Sequence, residues 1–165
     1  MKDDVDKSLL KISDEEDISY SSLVSQIFVK HIEWDHRTEK YGYVHISKAF
    51  FKGFIELLTA DQLIDVGKKL GSSLPKEFIM FWWKQININT FFEYIDILSK
   101  YAGIFQSERI EFTGYDVITL HHEYGRKWSS FLGYYIQSAI KTCLNIQAKI
   151  DLTDNSVIVK FNTST

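Results

Sequence analysis

The chain has 165 residues, 45% of them hydrophobic and 25% charged, a balance that belongs to folded globular domains and excludes intrinsic disorder. A net charge of −3 offers no general attraction to nucleic acid, and the single cysteine, Cys143, excludes an internal disulfide and points to a reducing compartment. The longest apolar run, Phe78-Ile79-Met80-Phe81-Trp82-Trp83, is far short of the about 20 residues that a bilayer span needs. Met1-Lys2-Asp3-Asp4 carries no apolar signal region, so the expectation is a cytoplasmic protein with no membrane partner.

In chain order, residues 7–16 predict a short helix with Leu9, Leu10 and Ile12 as its apolar contacts, followed by the acidic run Asp14-Glu15-Glu16-Asp17. Ser19 reads as the N-cap of a longer helix to about residue 40. Leu23, Val24, Ile27, Phe28 and Trp34 fall close to the i, i+3, i+4 pattern of one helix face. Gly42 is a stop. Ser47 caps a helix through Leu58, and Thr59 and Gln62 have capping-box spacing for the next, which Gly71 ends. Pro75 fits the first residue of a helix over 75–85, and Asn89 is taken as the cap of another over 90–102.

The pattern changes near Gly103. Ile110 and Phe112 lead into the turn Thr113-Gly114, and Tyr115 to Glu123 reads as a strand. An amphipathic helix follows Gly125, with Trp128, Phe131, Leu132, Tyr135, Ile136, Ala139 and Cys143 on one face. Ile146, Ala148, Ile150 and Leu152 then alternate with polar residues, and Thr153-Asp154-Asn155 turns the chain into a last strand with Val157, Val159 and Phe161. The expected fold is α+β: an N-terminal helical arm over 1–40, and a body over 41–165 of central helices and an antiparallel ββ-α-ββ sheet with one long helix.

No Gly-rich phosphate loop, G-x-S-x-G, H-E-x-x-H or paired Cys-x-x-Cys occurs in the sequence. The expectation is a binding or regulatory protein and not an enzyme, with no cofactor and no metal. His121-His122-Glu123 is the densest polar cluster. On a strand the two histidines face opposite sides, so they do not chelate one metal together. His122 shares a face with Ile118 and Leu120, as a hydrogen-bonded core histidine would. Gly125-Arg126-Lys127 opens the long helix, where free N–H groups and two cations, with His121 and His122 nearby, form a candidate site for a small anionic ligand. The alternative is that Arg126 and Lys127 are solvated or paired with Glu123. The aromatic stretch Phe78, Phe81, Trp82, Phe91, Phe92 and Tyr94 reads as core, with an apolar pocket as its other reading.

Residues 8–35, a short helix, an acidic turn, then Ile18-Ser19-Tyr20-Ser21-Ser22-Leu23-Val24 opening a second helix, resemble the two helices of a ribbon-helix-helix module of the CopG/Arc type. Leu120-His121-His122-Glu123 with Gly125-Arg126-Lys127-Trp128-Ser129 looks like the body of archaeal proteins that carry such a head. The ββ-α-ββ tail is also similar to small-ligand sensor domains of the four-vinyl-reductase type, without their cysteine pattern. The first resemblance implies a homodimeric transcription regulator, with second helices paired through Leu23, Val24, Ile27, Phe28 and Trp34. It further implies that Ser19, Ser21 and Ser22 face DNA phosphates and that paired N-terminal strands read bases. Lys2-Asp3-Asp4-Val5-Asp6 has no alternating basic or amide residues of a reading strand, and residues 1–40 carry 6 Lys and Arg against 10 Asp and Glu. Phosphate neutralisation needs the opposite sign. The second expectation is therefore a dimeric small-ligand sensor or protein-interaction adaptor that does not read DNA.

Overall fold

A computed structural model describes residues 2–163, which fall into two compact units divided between Tyr43 and Val44. In the first, α1 (Lys2–Glu15) begins earlier than the apolar pattern predicts, with Asp3 and Asp4 in its first turn, where carboxylates complement the helix dipole. Asp17 takes a left-handed conformation (φ 53°), and the Ile18 N–H donates to the Ser13 carbonyl at 3.0 Å. Ser19 then caps α2 (Tyr20–Lys30), its hydroxyl accepting from the Ser22 N–H at 3.1 Å. The helix runs on through a wider π turn, His31–Asp35, into α3 (His36–Tyr41) and stops at Gly42 (φ 90°). Leu23, Trp34, Ser13 and Thr38 are buried. The Trp34 ring meets Tyr43 edge-on at 5.3 Å, and the Thr38 hydroxyl donates to the Trp34 carbonyl.

In the second unit, Ser47 caps α4 (Lys48–Leu57), accepting from the Phe50 N–H at 3.2 Å. The Thr59–Gln62 capping box forms in both directions and opens α5 (Ala60–Gly71). Pro75 lies in the first turn of α6 (Leu74–Trp83). The next helix, α7 (Ile88–Tyr101), is capped by Asn87 and not by Asn89. Asn87 is the residue with extended backbone, and its side chain accepts from the Thr90 N–H while Thr90 Oγ1 accepts from the Asn87 N–H, both at 3.0 Å. A capping box adds a partner three residues on that reaches back, and Thr90 stands at that distance from Asn87.

The sheet follows: β1 (Gln106–Phe112), β2 (Tyr115–His121), the long helix α8 (Gly125–Leu144), β3 (Ala148–Leu152) and β4 (Ser156–Asn162). All neighbours pair antiparallel in the order β1-β2-β4-β3, with Ile118 opposite Val159 and Val159 opposite Ile150. The α+β class read from the sequence is the one found. Ile118, Leu120, Val157, Val159 and Phe161 line the inner sheet face, and Leu132, Ile136, Ala139 and Ile140 of α8 are buried with them. Arg109 of β1 donates to the buried Asp116 at 2.9 Å, with its guanidinium 3.5 Å from the Phe92 ring centre, which fastens α7 to the sheet. Phe78, Trp82, Phe91, Phe92 and Tyr94 are buried against one another, with Phe78 stacked on Trp82 at 4.4 Å, so the aromatic stretch is largely core.

The other side of α8 carries α5 at very short range. A Cβ placed on Gly67 would lie 2.5 Å from the Phe131 carbonyl oxygen, and one on Gly71 would overlap the Tyr135 carbonyl. Gly71 therefore ends α5 as expected but is required for a different reason: only a residue without a Cβ lets the two backbones come this close. On the sheet side, a Cβ on Gly133 would meet Leu152 at 2.6 Å. We expect Gly67→Ala and Gly71→Ala each to destabilise the fold by about 1–3 kcal/mol through overpacking. Gly53→Ala, in α4 with nothing within 4 Å of the new methyl, should stabilise by up to about 1 kcal/mol from helix propensity. Urea denaturation midpoints of the three variants test this contrast.

Candidate functional site

β2 ends at His121, and His122 is the first residue beyond it. His121 emerges on the outer face and is exposed, with Nε2 3.8 Å from Glu108 of the neighbouring strand. His122, one residue on, is half-buried at the junction of three segments. Its backbone N–H donates to the Asn155 carbonyl in the β3–β4 turn at 2.9 Å. The Tyr124 N–H donates to Nδ1 at 3.3 Å, so Nδ1 is the acceptor and Nε2 carries the proton. Nε2 then donates to Ser129 Oγ at 2.8 Å, and the Ser129 hydroxyl, fully buried in α8, reaches the Asp154 carbonyl at 3.4 Å. Every polar atom of the ring is used in its neutral form. Burial, and secondarily the neighbouring His121, lowers the His122 pKa below its ordinary 6.5. His122 thus makes the hydrogen bonds expected of a core histidine while remaining half-buried.

The anion constellation expected at Gly125-Arg126-Lys127 does not assemble as a unit. Gly125 begins α8 with φ 79°, and no side chain caps that end. The Arg126 guanidinium donates to the Leu152 carbonyl at the end of β3, and Lys127 Nζ donates to the Glu56 carbonyl in α4 at 3.0 Å. Helix geometry sends these neighbouring side chains to different segments, and each satisfies a backbone carbonyl. Glu123 pairs with Lys48 at 2.6 Å and not with Arg126 or Lys127. That contact, foremost its hydrogen bond, lowers the Glu123 pKa and raises that of Lys48.

The two histidines do share a cleft of about 490 Å³ with residues the sequence pattern missed. Its walls come from the start of α4 (Lys48), the end of α7 (Ser99, Lys100), the loop and first residue before and in β1 (Ile104, Phe105, Gln106), and the segment His121–Tyr124. Phe105 and Tyr124 give it a buried aromatic floor. The Tyr124 hydroxyl donates to the Gly103 carbonyl at 3.1 Å and holds the loop against the end of β2. Two lysines and His121 stand against one carboxylate, Glu123. Lys48 and Glu123 are 75 residues apart in sequence, and no local motif links them.

In the first unit, the five residues expected to pair between chains separate into two sets. Leu23 and Trp34 are buried and Val24 half-buried, while Ile27 and Phe28 are 45% and 62% exposed. Tyr20 and Ile32 extend the exposed set along the same helix. Ser19 spends its hydroxyl on the α2 cap and sits 3.2 Å from the Ser21 hydroxyl. Ser21 and Ser22 are exposed. Residues 2–15 are helical, so among the described residues no strand precedes α2. Cys143 is half-buried, and burial raises its thiol to about 11, which makes it a poor nucleophile. Among the described residues, no three His, Cys, Asp or Glu are grouped to hold a metal, and no helix is long and apolar enough to cross a membrane. Comparison of the sequence with protein-family models and with curated proteins finds no match.

The neutral His122 carries a pH signature. Its folded pKa lies below that of the unfolded chain, so below about pH 6.5 the unfolded state takes up a proton that the folded state refuses. Stability from this group should be level above about pH 6.5 and fall as the pH drops toward the lowered folded value. Urea midpoints measured across this window should show the slope in the parent and a shallower one in His122→Gln. That variant should also lose about 1 kcal/mol at neutral pH with its hydrogen bonds. An unchanged slope would mean that another group titrates.

Proposed function

We propose that this chain is a homodimeric sensor or adaptor that acts by binding, taking a small organic anion in the cleft of its body and pairing with a second copy through its arm. The cleft carries the reading. At about 490 Å³ it has the size of a small-molecule site. Lys48, Lys100 and His121 outnumber Glu123 in its lining, beside the floor of Phe105 and Tyr124. Such a lining favours a carboxylate or phosphate attached to a flat apolar body. The arm supports pairing because Tyr20, Ile27, Phe28 and Ile32 follow helical spacing and stay exposed. An isologous contact is the usual cover for such a stripe.

Benzoate and inorganic phosphate, titrated separately, test the cleft. Binding should raise thermal stability by mass action, about 2.7 kcal/mol at a hundred times the dissociation constant. Lys100→Ala with His121→Ala should abolish the rise, and Arg126→Ala with Lys127→Ala should keep it. The reverse result would return the anion site to the start of α8. Light scattering at tens of micromolar should show self-association, and Ile27→Asp should remove the part of it that runs through the arm.

The regulator reading differs in one measurable respect. Residues 1–40 are acidic overall, and base reading needs donors and acceptors aimed at base edges. The chain should therefore bind duplex DNA weakly and without sequence preference. Sub-micromolar, sequence-selective binding at physiological salt would restore the ribbon-helix-helix regulator in place of the sensor.

A further inference from the structure

Helix α4 has two apolar faces, and the body uses only one. Phe51 and Ile55 turn inward: Ile55 is buried, and the Phe51 ring meets Tyr124 and Trp128 edge-on at 5.1 and 4.8 Å. Phe50, Phe54 and Leu57, at i, i+4 and i+7, form a second stripe and are 64%, 56% and 83% exposed. The charged residues Lys48, Lys52 and Glu56 run two positions out of phase with Phe50 and Phe54, which places them on the opposite side of the helix. Ala49 and Gly53, both exposed, lie beside the stripe.

Gly53 is the informative residue. A glycine inside a helix costs about 1 kcal/mol relative to alanine. The helical glycines Gly67, Gly71 and Gly133 each stand where a Cβ would collide with another element, so close packing accounts for them. A Cβ on Gly53 would meet nothing within 4 Å. The same device stands on an open, uncharged aromatic face.

We propose that the outer face of α4 docks against the same face of a second copy of this chain, helix on helix, with Gly53 at the close approach. Three observations select that occupant. The face carries no charge, so two copies meet without like-charge repulsion, as an isologous contact requires. A close backbone approach explains Gly53, whereas a lipid surface needs none. The area is also sufficient. With Val44 and Ile46, 80% and 54% exposed on the segment leading into the helix, the apolar surface comes to roughly 600 Å² per copy at about 200 Å² per large side chain. Doubled across a two-fold axis, about 1,200 Å² reaches the lower edge of specific interfaces. This contact is separate from the one proposed for the arm.

Sedimentation equilibrium of the full chain tests it. The Ile27→Asp chain, with the arm contact removed, should still dimerise. Adding Phe54→Glu or Gly53→Leu to it should weaken that dimer about tenfold or more, as loss of a central anchor does. Gly53→Leu should leave the thermal midpoint of the chain unlowered, because a Cβ at this exposed position meets nothing within 4 Å and leucine favours the helix; a loss of association in that variant is then not a loss of folding. If Phe54→Glu alone yields a monomer while Ile27→Asp changes nothing, the arm reading fails and the α4 contact stands. The proposal is overturned if the Ile27→Asp chain sediments as a monomer throughout, or if neither α4 substitution alters association. It is also overturned if Phe54 is needed only for binding to phosphatidylserine vesicles.

Discussion

The backbones of α5 and α8 meet at Gly67 and Gly71, and much of the body depends on that closeness. Helix α8 is covered on two sides: the sheet takes Leu132, Ile136 and Ile140, and α5 presses on the carbonyls of Phe131 and Tyr135. A helix held at that distance has little freedom to rotate or slide, because side chains cannot be traded for one another where backbone meets backbone. Its N-terminal end is therefore placed with some rigidity, and the segments that converge there inherit that placement. Gly133 repeats the device on the sheet side, where Leu152 occupies the space a side chain would take.

His122 ties these segments together. It joins the end of β2, the first turns of α8 and the β3–β4 turn through a chain of hydrogen bonds that needs a neutral imidazole. The same short segment supplies His121, Glu123 and Tyr124 to the cleft. The wall of the candidate site is thus built on a junction whose integrity depends on protonation, and the Lys48–Glu123 pair closes it from the side of α4. Arg126 and Lys127 serve the same junction by satisfying carbonyls of β3 and α4. Both cations donate to backbone carbonyls beside the candidate site.

Aromatic side chains are spent in two ways. Phe78, Phe91 and Tyr94 fill the interior, and Trp128, Phe131 and Tyr135 stack along α8. Phe28, Phe50 and Phe54 remain exposed. Scattered apolar residues on a surface are ordinary, but rows at helical spacing without charges mark contact surfaces. The two rows lie in different units, so the pairing proposed for the arm and the docking proposed for α4 can be separated by single substitutions.

The sequence by itself determined the secondary structure of most of the chain, the α+β class and the ββ-α-ββ order. Those follow from local rules: Ser47 and Thr59 cap, Pro75 starts a helix, and alternation in residues 148–161 writes a sheet face. Period two also groups His122 with Ile118 and Leu120, although β2 itself ends at His121. Tertiary structure decided the rest. Whether Gly71 marks a helix end or a close crossing depended on α8, more than fifty residues away. Trp34 and Phe28 look alike in a helical pattern, yet one is buried and the other open. The cleft draws Lys48, Lys100 and His121 from three distant segments. Periodicity reports which face of an element is apolar; it carries no information about which other element, or which other molecule, comes to cover it.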